Sequence, residues 1–326
     1  MIITKTPFRI SFFGGGTDFP DFYRLHGGKV ISTAIDKHCY VTLRHLPRFF
    51  EYRNELVYSR IERVSKIDNI EHPLIREALR MMQLSDLRIV YEGDLPARTG
   101  LGTSSSFAVG LLHAMHLYRG ESVTHRQLAD EAIHLERFLC REDGGIQDQI
   151  AAAHGGLNRI DMDDKGYTVT SLDLSPERIA DLNGSLMLFF TGQTHFSASL
   201  QTEHRKAIAD KTAQLLQMKA LADDAERVLC GNGDLNEFGR LLHESWCLKR
   251  GITNMVSNDS IDALYAHARE AGAIGGKLLG AGGGGFLLFF VEKDKQQSVK
   301  AALGDLLHVP FAFDSKGSEV VFSKNG

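Results

Sequence analysis

The stretch Pro96-Ala97-Arg98-Thr99-Gly100-Leu101-Gly102-Thr103-Ser104-Ser105-Ser106 empties directly into the apolar run Phe107, Leu111, Leu112 and Met115. A chain with such a passage must build a sharp turn at the mouth of a buried helix. Gly100 and Gly102 open backbone conformations closed to residues with a Cβ, so successive N–H groups can converge on an anion at a helix N-terminus. The serine hydroxyls can cap that helix, bond phosphate oxygens or reach a metal carried by them. A helix that is merely well capped carries the same residues, so this stretch alone leaves both readings open.

The chain has 326 residues, 43% hydrophobic and 24% charged, which is ordinary globular content with length for two domains. Its net charge of -4 gives no electrostatic case for nucleic acid or an anionic membrane surface, so a small-molecule partner is expected. Cys39, Cys140, Cys230 and Cys247 lack C-x-x-C spacing, which argues against a disulfide framework or a cysteine zinc site and reads them as buried small hydrophobes. The N-terminal residues show no signal or transit pattern, and the longest apolar run, Phe286 to Val291, is too short to span a bilayer. A cytoplasmic protein is the expectation.

Lys5 to Phe13 reads as a strand ending in Gly14-Gly15-Gly16-Thr17-Asp18, and Lys29 to Leu46 and Leu87 to Tyr91 are also β-rich. Helices are expected from His72 to Gln83, from Ser105 to Tyr118, and from Arg126 to about Cys140 behind a Thr124/Gln127 capping box. A hairpin turn is expected at Asp161 to Gly166. The pattern restarts near Ser185, with a strand at Leu186 to Phe190 and helices from about Glu203 to Leu229, Leu235 to Leu248 and Ser260 to Ala271. Strands at Phe286 to Val291 and Val320 to Phe322 close the chain. Strands and helices mix without strict alternation, which predicts an α+β fold divided near residues 180 to 186.

A third glycine turn, Gly280-Ala281-Gly282-Gly283-Gly284-Gly285, contains a formal G-x-G-x-x-G. It precedes a strand instead of following one, so the dinucleotide-fold reading fails, and no G-x-x-x-x-G-K-[ST] marks a P-loop. A tight connection from helix to strand would use the same glycines. Asp148 sits between Gln147 and Gln149 at the start of a helix, as a dipole-stabilised first-turn acid or as a group that accepts a hydroxyl proton. Glu136 alone is an exposed helix carboxylate; facing the serine loop it would complete a hard-oxygen Mg²⁺ site. Arg9 on an apolar strand requires an anionic partner, Asp18 or another carboxylate. No H-E-x-x-H or comparable pairing occurs among the histidines, so none is assigned to metal.

Three segments, Thr6 to Asp18, Pro96 to Ser106 and Lys277 to Gly285, together with Gly145-Ile146-Gln147-Asp148-Gln149, resemble the GHMP kinase superfamily over essentially the whole chain. The resemblance implies a two-domain α+β fold: an N-terminal ribosomal-protein-S5-domain-2-like domain over residues 1–185 that binds ATP, a C-terminal ferredoxin-like domain over 186–326, and an active site between them. It implies that Pro96, Arg98, Thr99, Gly100, Leu101, Gly102, Thr103, Ser104 and Ser105 wrap the ATP phosphates, and that Ser104 and Glu136 hold Mg²⁺. Asp148 would deprotonate or orient the acceptor hydroxyl, and Arg9 would stabilise the transferring charge, since phosphoryl transfer needs mostly positioning and charge neutralisation. Gly15, Gly16, Thr17, Asp18, Gly282 and Gly283 would face the acceptor. Within the superfamily, Phe12 to Asp18, Glu71 to Leu79, Gln147-Asp148-Gln149 and Gly275 to Gly280 look most like the D-glycero-D-manno-heptose 7-phosphate kinases, which implies phosphorylation of an anomeric C1 hydroxyl. A phosphorylated sugar needs a second basic pocket, with Arg44, Arg48, Arg53, Lys249 and Arg250 as candidates and Lys249 preferred; Trp246 lines the sugar or anchors the core. The implied partners are ATP and a sugar or sugar phosphate, with a homodimer allowed.

Overall fold

The computed structural model describes residues 1–192, 202, 203, 205–208 and 210–324. Strands β1 (Ile2–Phe13) and β2 (Gly28–His45) pair antiparallel from Ile2↔Leu43 to Phe13↔Ile31, with helix α1 (Pro20–His26) between them. β2 is long enough to serve two further partners. Its second half carries β5 (Leu87–Gly93) and its first half carries β6 (Leu157–Asp163), which turns at the expected hairpin into β7 (Gly166–Ser171). The polar segment before β5 contains β3 (Asn54–Val57) and β4 (Ile61–Val64), short strands that polarity concealed, followed by α2 (Pro73–Met82). The sheet order is β12-β1-β2-β5-β3-β4, where β12 is Glu319–Ser323, with β6 pairing with β2 and β7 with β6.

Helix α3 (Thr103–Tyr118) is apolar on nearly all faces and is buried accordingly. Ser106 Oγ donates to Pro7 O at 2.8 Å and Thr4 Oγ1 to Gly110 O at 2.8 Å, which fixes the helix on β1. Thr124 caps α4 (His125–Ile133) by accepting from the Gln127 N–H. The α-helix expected to run on to Cys140 instead becomes a π-turn at His134–Leu139, where Cys140 N reaches back to Leu135 O at 2.9 Å. α5 (Gln147–His154) and α6 (Pro176–Gly184) complete the first half.

The second sheet is antiparallel, in the order β11-β8-β10-β9, from β8 (Leu186–Phe190), β9 (Ala273–Leu278), β10 (Phe286–Val291) and β11 (Leu307–His308). Helices α7 (Thr212–Cys230), α8 (Asn236–Arg250), α9 (Asp259–Glu270) and α10 (Gln296–Ala302) accompany it. The helix expected from Glu203 is described as continuous from Thr212; residues 204 and 209 of that expectation lie outside the described residues. The third glycine turn joins β9 to β10, with Leu278 opposite Leu287, so it links two strands and not a helix to a strand. Gly275 and Gly276 hid β9 by interrupting the apolar alternation. The chain then returns to the first sheet, where β12 (Glu319–Ser323) pairs with β1.

Phe8, Ile10, Phe12 and Phe13 of β1 are completely buried, and they share a core with Leu188, Phe286, Leu288 and Phe290 of the second sheet. Phe238 of α8 meets Phe12 and Phe13 edge-on, with ring centroids 5.3 and 5.2 Å apart. Each buried phenylalanine contributes about 1.5–3 kcal/mol, an upper bound. The end of β1 is thereby held against both sheets, and the glycine turn that follows it is presented at their junction.

Only Cys39 of the cysteines is buried; Cys140 is half-buried, and Cys230 and Cys247 are exposed, contrary to the reading of all four as core residues. The last two lie at a helix end and on an outward helix position, where apolar periodicity is no guide. Among the described residues, no helix is long and apolar enough to cross a membrane.

Candidate active site

Arg98, Gly100 and Gly102 have φ of 63°, 84° and 71°, so the second glycine segment coils through the left-handed region before α3 begins. Gly102 is required there twice over, since a Cβ would also stand 3.1 Å from Arg9 Cγ. The coil is braced by Thr99 Oγ1 donating to Pro96 O at 2.9 Å, Arg98 N to Thr103 Oγ1 at 3.3 Å, and Arg9 N to Leu101 O at 3.0 Å. Leu101 is buried beneath it, while Pro96, Arg98 and Ser104 face outward. The first-turn N–H groups of α3 lack intrahelical acceptors and carry the positive end of the helix dipole, chemistry that suits an anion.

Arg9 is 4% exposed and finds its partner in Asp148, the first-turn acid of α5. Nε and Nη2 donate to the two carboxylate oxygens at 2.8 Å each, and Nη1 donates to Gly100 O at 2.7 Å. The guanidinium therefore joins the glycine coil to the acid. The Asp148 side chain keeps a quarter of its surface open, so a hydroxyl can still reach it.

Glu136 lies on the π-turn and is buried, not exposed as its helix position taken alone suggests. It accepts from Ser104 Oγ at 3.1 Å, from Ser105 Oγ at 2.7 Å and from Gln149 Nε2. Beside this carboxylate, Gln149 Oε1 is buried with no partner. A carboxylate, two hydroxyls and an unused carbonyl oxygen are hard donors of the kind Mg²⁺ takes together with water and phosphate oxygens, so the set fits that ion. Among the described residues, no group of three or more His, Cys, Asp or Glu side chains forms a metal cluster.

The turn after β1 is drawn onto α5 by Asp18. Its carboxylate accepts from Gly16 N at 2.9 Å and Gln147 N at 3.3 Å, and its carbonyl accepts from Ile146 N at 3.2 Å. Burial first, and then the Asp148 charge, push the Asp18 carboxyl above its ordinary range, against the lowering effect of those N–H groups. Thr17 Oγ1 is likewise engaged, donating towards Gly14 O at 2.7 Å and Lys29 O at 3.0 Å. Gly15 lies against Ser11 Oγ and the Gln147 amide, and the turn's remaining openness is at Gly15 and Gly16.

The third glycine loop closes from the other side. Gly280 and Leu279 O stand against Gly100, and Gly285 against Thr99 O, so close that no Cβ fits at any of these glycines. Gly282 and Gly283 face elsewhere: Gly283 N donates to Val256 O at 3.0 Å, and Gly282 packs on Val256. Lys249 of α8, 7% exposed, donates to Leu278 O at 3.0 Å and Gly280 O at 2.5 Å. Burial, aided by Arg9, lowers its pKa to about 7.

Other basic candidates gather elsewhere. Arg53 and Arg48 converge on Asp86, Arg250 pairs with Asp262, and Arg44 stands opposite Arg88 in the β2–β5 pairing. Trp246 is a core anchor, fully buried among Val256, Ile261 and Phe289. Two residues escaped sequence reasoning: Gln149, signalled only by its place beside Asp148, and Lys277, which lies within the third motif without a role.

Two family models match the chain, the GHMP kinases N terminal domain over residues 71–156 and the GHMP kinases C terminal over 219–308, together more than half of its length. A Campylobacter jejuni protein named D-glycero-alpha-D-manno-heptose 7-phosphate kinase is 27% identical over 93% of each chain. A galactokinase of Pyrococcus furiosus is 24% identical over 93% of this chain and 92% of its own. The crystal structure of a D-glycero-D-manno-heptose 1-phosphate kinase from Bacteroides thetaiotaomicron superposes over 100% of both chains, with a TM-score of 0.81 and 26% identity. The glycine coil before α3, the Arg9–Asp148 pair and these matches agree, and the chain belongs to the GHMP kinases.

Proposed function

We propose that this GHMP kinase is an ATP-dependent sugar kinase that phosphorylates the anomeric C1 hydroxyl of D-glycero-D-manno-heptose 7-phosphate, giving the 1,7-bisphosphate for nucleotide-activated heptose in surface polysaccharide synthesis. The observation that carries the reading is the Arg9–Asp148 pair, open to solvent only over a quarter of the Asp148 side chain and set against the phosphate coil at Gly100. The similarity to the Campylobacter heptose 7-phosphate kinase supports this acceptor, and the Bacteroides heptose 1-phosphate kinase supports the coarser reading of a heptose phosphate kinase.

The coil from Pro96 to Ser105 holds the ATP phosphates by its N–H groups and the α3 dipole. Ser104 and Glu136 hold Mg²⁺, which when bound neutralises phosphate charge. Asp148 orients the acceptor hydroxyl and takes its proton as the oxygen–phosphorus bond forms. The bond from the γ-phosphorus to its bridging oxygen breaks, and ADP leaves. Arg9 keeps Asp148 aimed and balances negative charge on the moving group. Asp18, already bonded by Gly16 and Gln147, shapes the acceptor side together with Gly15, Gly16 and Thr17, while Lys249 braces the third glycine loop from the second half through Gly280 O.

ATP consumption with Mg²⁺ against a panel of sugars, each free and terminally phosphorylated, tests this reading, with phosphorus NMR locating the new ester. Turnover confined to heptose 7-phosphate with a C1 product is the expected result. The galactokinase similarity favours a second reading, an unphosphorylated hexose acceptor, and turnover on free galactose or fucose would replace the first with it.

A further inference from the structure

Lys277, near the end of β9, is 3% exposed, and the groups that face it, Lys249 and Arg9, are both basic. A buried ammonium in such company costs stability, and an apolar side chain of similar length would remove that cost. What the Lys277 Nζ does is donate to the carbonyls of Ser11 at 3.0 Å and Phe12 at 2.7 Å. These lie where the β1–β2 register shifts, between Ser11 and Phe13, so the sheet ladder is irregular there and a side-chain donor takes its place.

From those carbonyls the backbone passes straight into the acceptor-side turn. Thr17 N bonds Gly14 O at 3.0 Å, Gly16 N bonds Asp18, and Asp18 bonds the N–H groups of Ile146 and Gln147, next to Asp148. At its other end Lys277 adjoins Leu278, whose carbonyl Lys249 holds, and Leu279, whose carbonyl abuts Gly100. One side chain thus spans the two halves of the chain between the first and third glycine segments. We propose that Lys277 is a positioning residue: it holds the Gly14–Asp18 turn in register with the third glycine loop, and so sets the acceptor side of the site relative to Asp148. The inference rests on the kinase reading for its kinetic consequence but not for its structural one.

The test compares the full chain with Lys277→Met by hydrogen exchange of the Gly14–Asp18 and Pro96–Ser106 segments, by thermal melting, and by steady-state kinetics. Exchange in the first segment should rise by about tenfold or more while the second stays within about twofold, with Tm shifted by no more than a few degrees because the relieved burial of charge offsets the two unpaired carbonyls. With the acceptor identified by the sugar panel, its KM should rise by about tenfold while the KM for ATP holds within about threefold. Lys277→Gln, which keeps an amide donor without the charge, should recover part of the protection. Unchanged exchange in the turn overturns the proposal, as do a lowered Tm with faster exchange throughout, or failure of both variants to fold. Exchange needs no acceptor, so the two ideas fail separately. Absence of wild-type sugar turnover with the exchange contrast intact removes the sugar reading, and turnover without the contrast removes the role of Lys277.

Discussion

Asp148→Asn keeps the shape of the side chain and deletes the charge that faces Arg9. Two consequences of different size follow from the geometry. The guanidinium is 4% exposed and loses the carboxylate it faces, yet it retains the Gly100 carbonyl at 2.7 Å and one amide oxygen. Breaking a fully buried pair costs about 3–5 kcal/mol. Because the Asp148 side chain is 25% open to solvent, the loss here should be about 1–2 kcal/mol, a fall in Tm of a few degrees. The chemical step should suffer more: without a carboxylate to take the hydroxyl proton, kcat should drop by about 10²–10⁴, or about 3–5 kcal/mol of barrier. Neither effect reaches the N–H groups of the phosphate coil, so the Kd for ATP should stay within about threefold. ADP release at saturating ATP and acceptor, calorimetric titration with ATP, and a thermal melt measure the three quantities. A kcat within about tenfold of wild type would remove Asp148 from the chemistry. A loss of ATP affinity as large as the loss of kcat would refute the division of labour, making the pair a brace for the coil.

Glu136→Gln, at a buried carboxylate that gathers Ser104, Ser105 and Gln149, should raise the Mg²⁺ concentration for half-maximal turnover by about tenfold or more; an unchanged Mg²⁺ dependence would free Glu136 of that role. Gly102→Val places a branched side chain at φ 71° against Arg9, at a cost of about 1–2 kcal/mol or more, and should weaken ATP binding about tenfold by titration. Lys249 titrates near 7 in the folded chain against an ordinary 10.5, so the unfolded chain binds the extra proton between those values, and wild-type stability should rise with pH across that window. Relative to Lys249→Met, urea melts should therefore show the wild type gaining by up to about 1.4 kcal/mol per pH unit above pH 7, and a flat difference would mean the ammonium is not buried alone.

Much of the site was legible in order of residues. The glycine coil announces itself because left-handed backbone restricts residue choice, and an arginine on an apolar strand announces a missing anion. The strand at Phe8 to Phe13 and the helix after Ser106 are legible because burial on every side leaves continuous apolar runs. The π-turn at Glu136 left no such trace, since its extra residue is a matter of hydrogen-bond register and not of composition. β9 was hidden by glycines whose use is close packing, and β3 and β4 by the polarity of an edge.

Sequence by itself thus determined the segments that could cradle phosphate and the acids that could act, because special backbone angles and buried charges each demand particular residue types. Which acid answered Arg9, Asp18 or Asp148, was decided only when β1 and α5 were packed together. The burial of Glu136 among serine hydroxyls, the closing of Leu279 and Gly280 onto Gly100, and the reach of Lys277 to the end of β1 are likewise tertiary facts. They depend on distances between residues far apart in the chain, and those distances are set by the packing of two sheets around one buried strand.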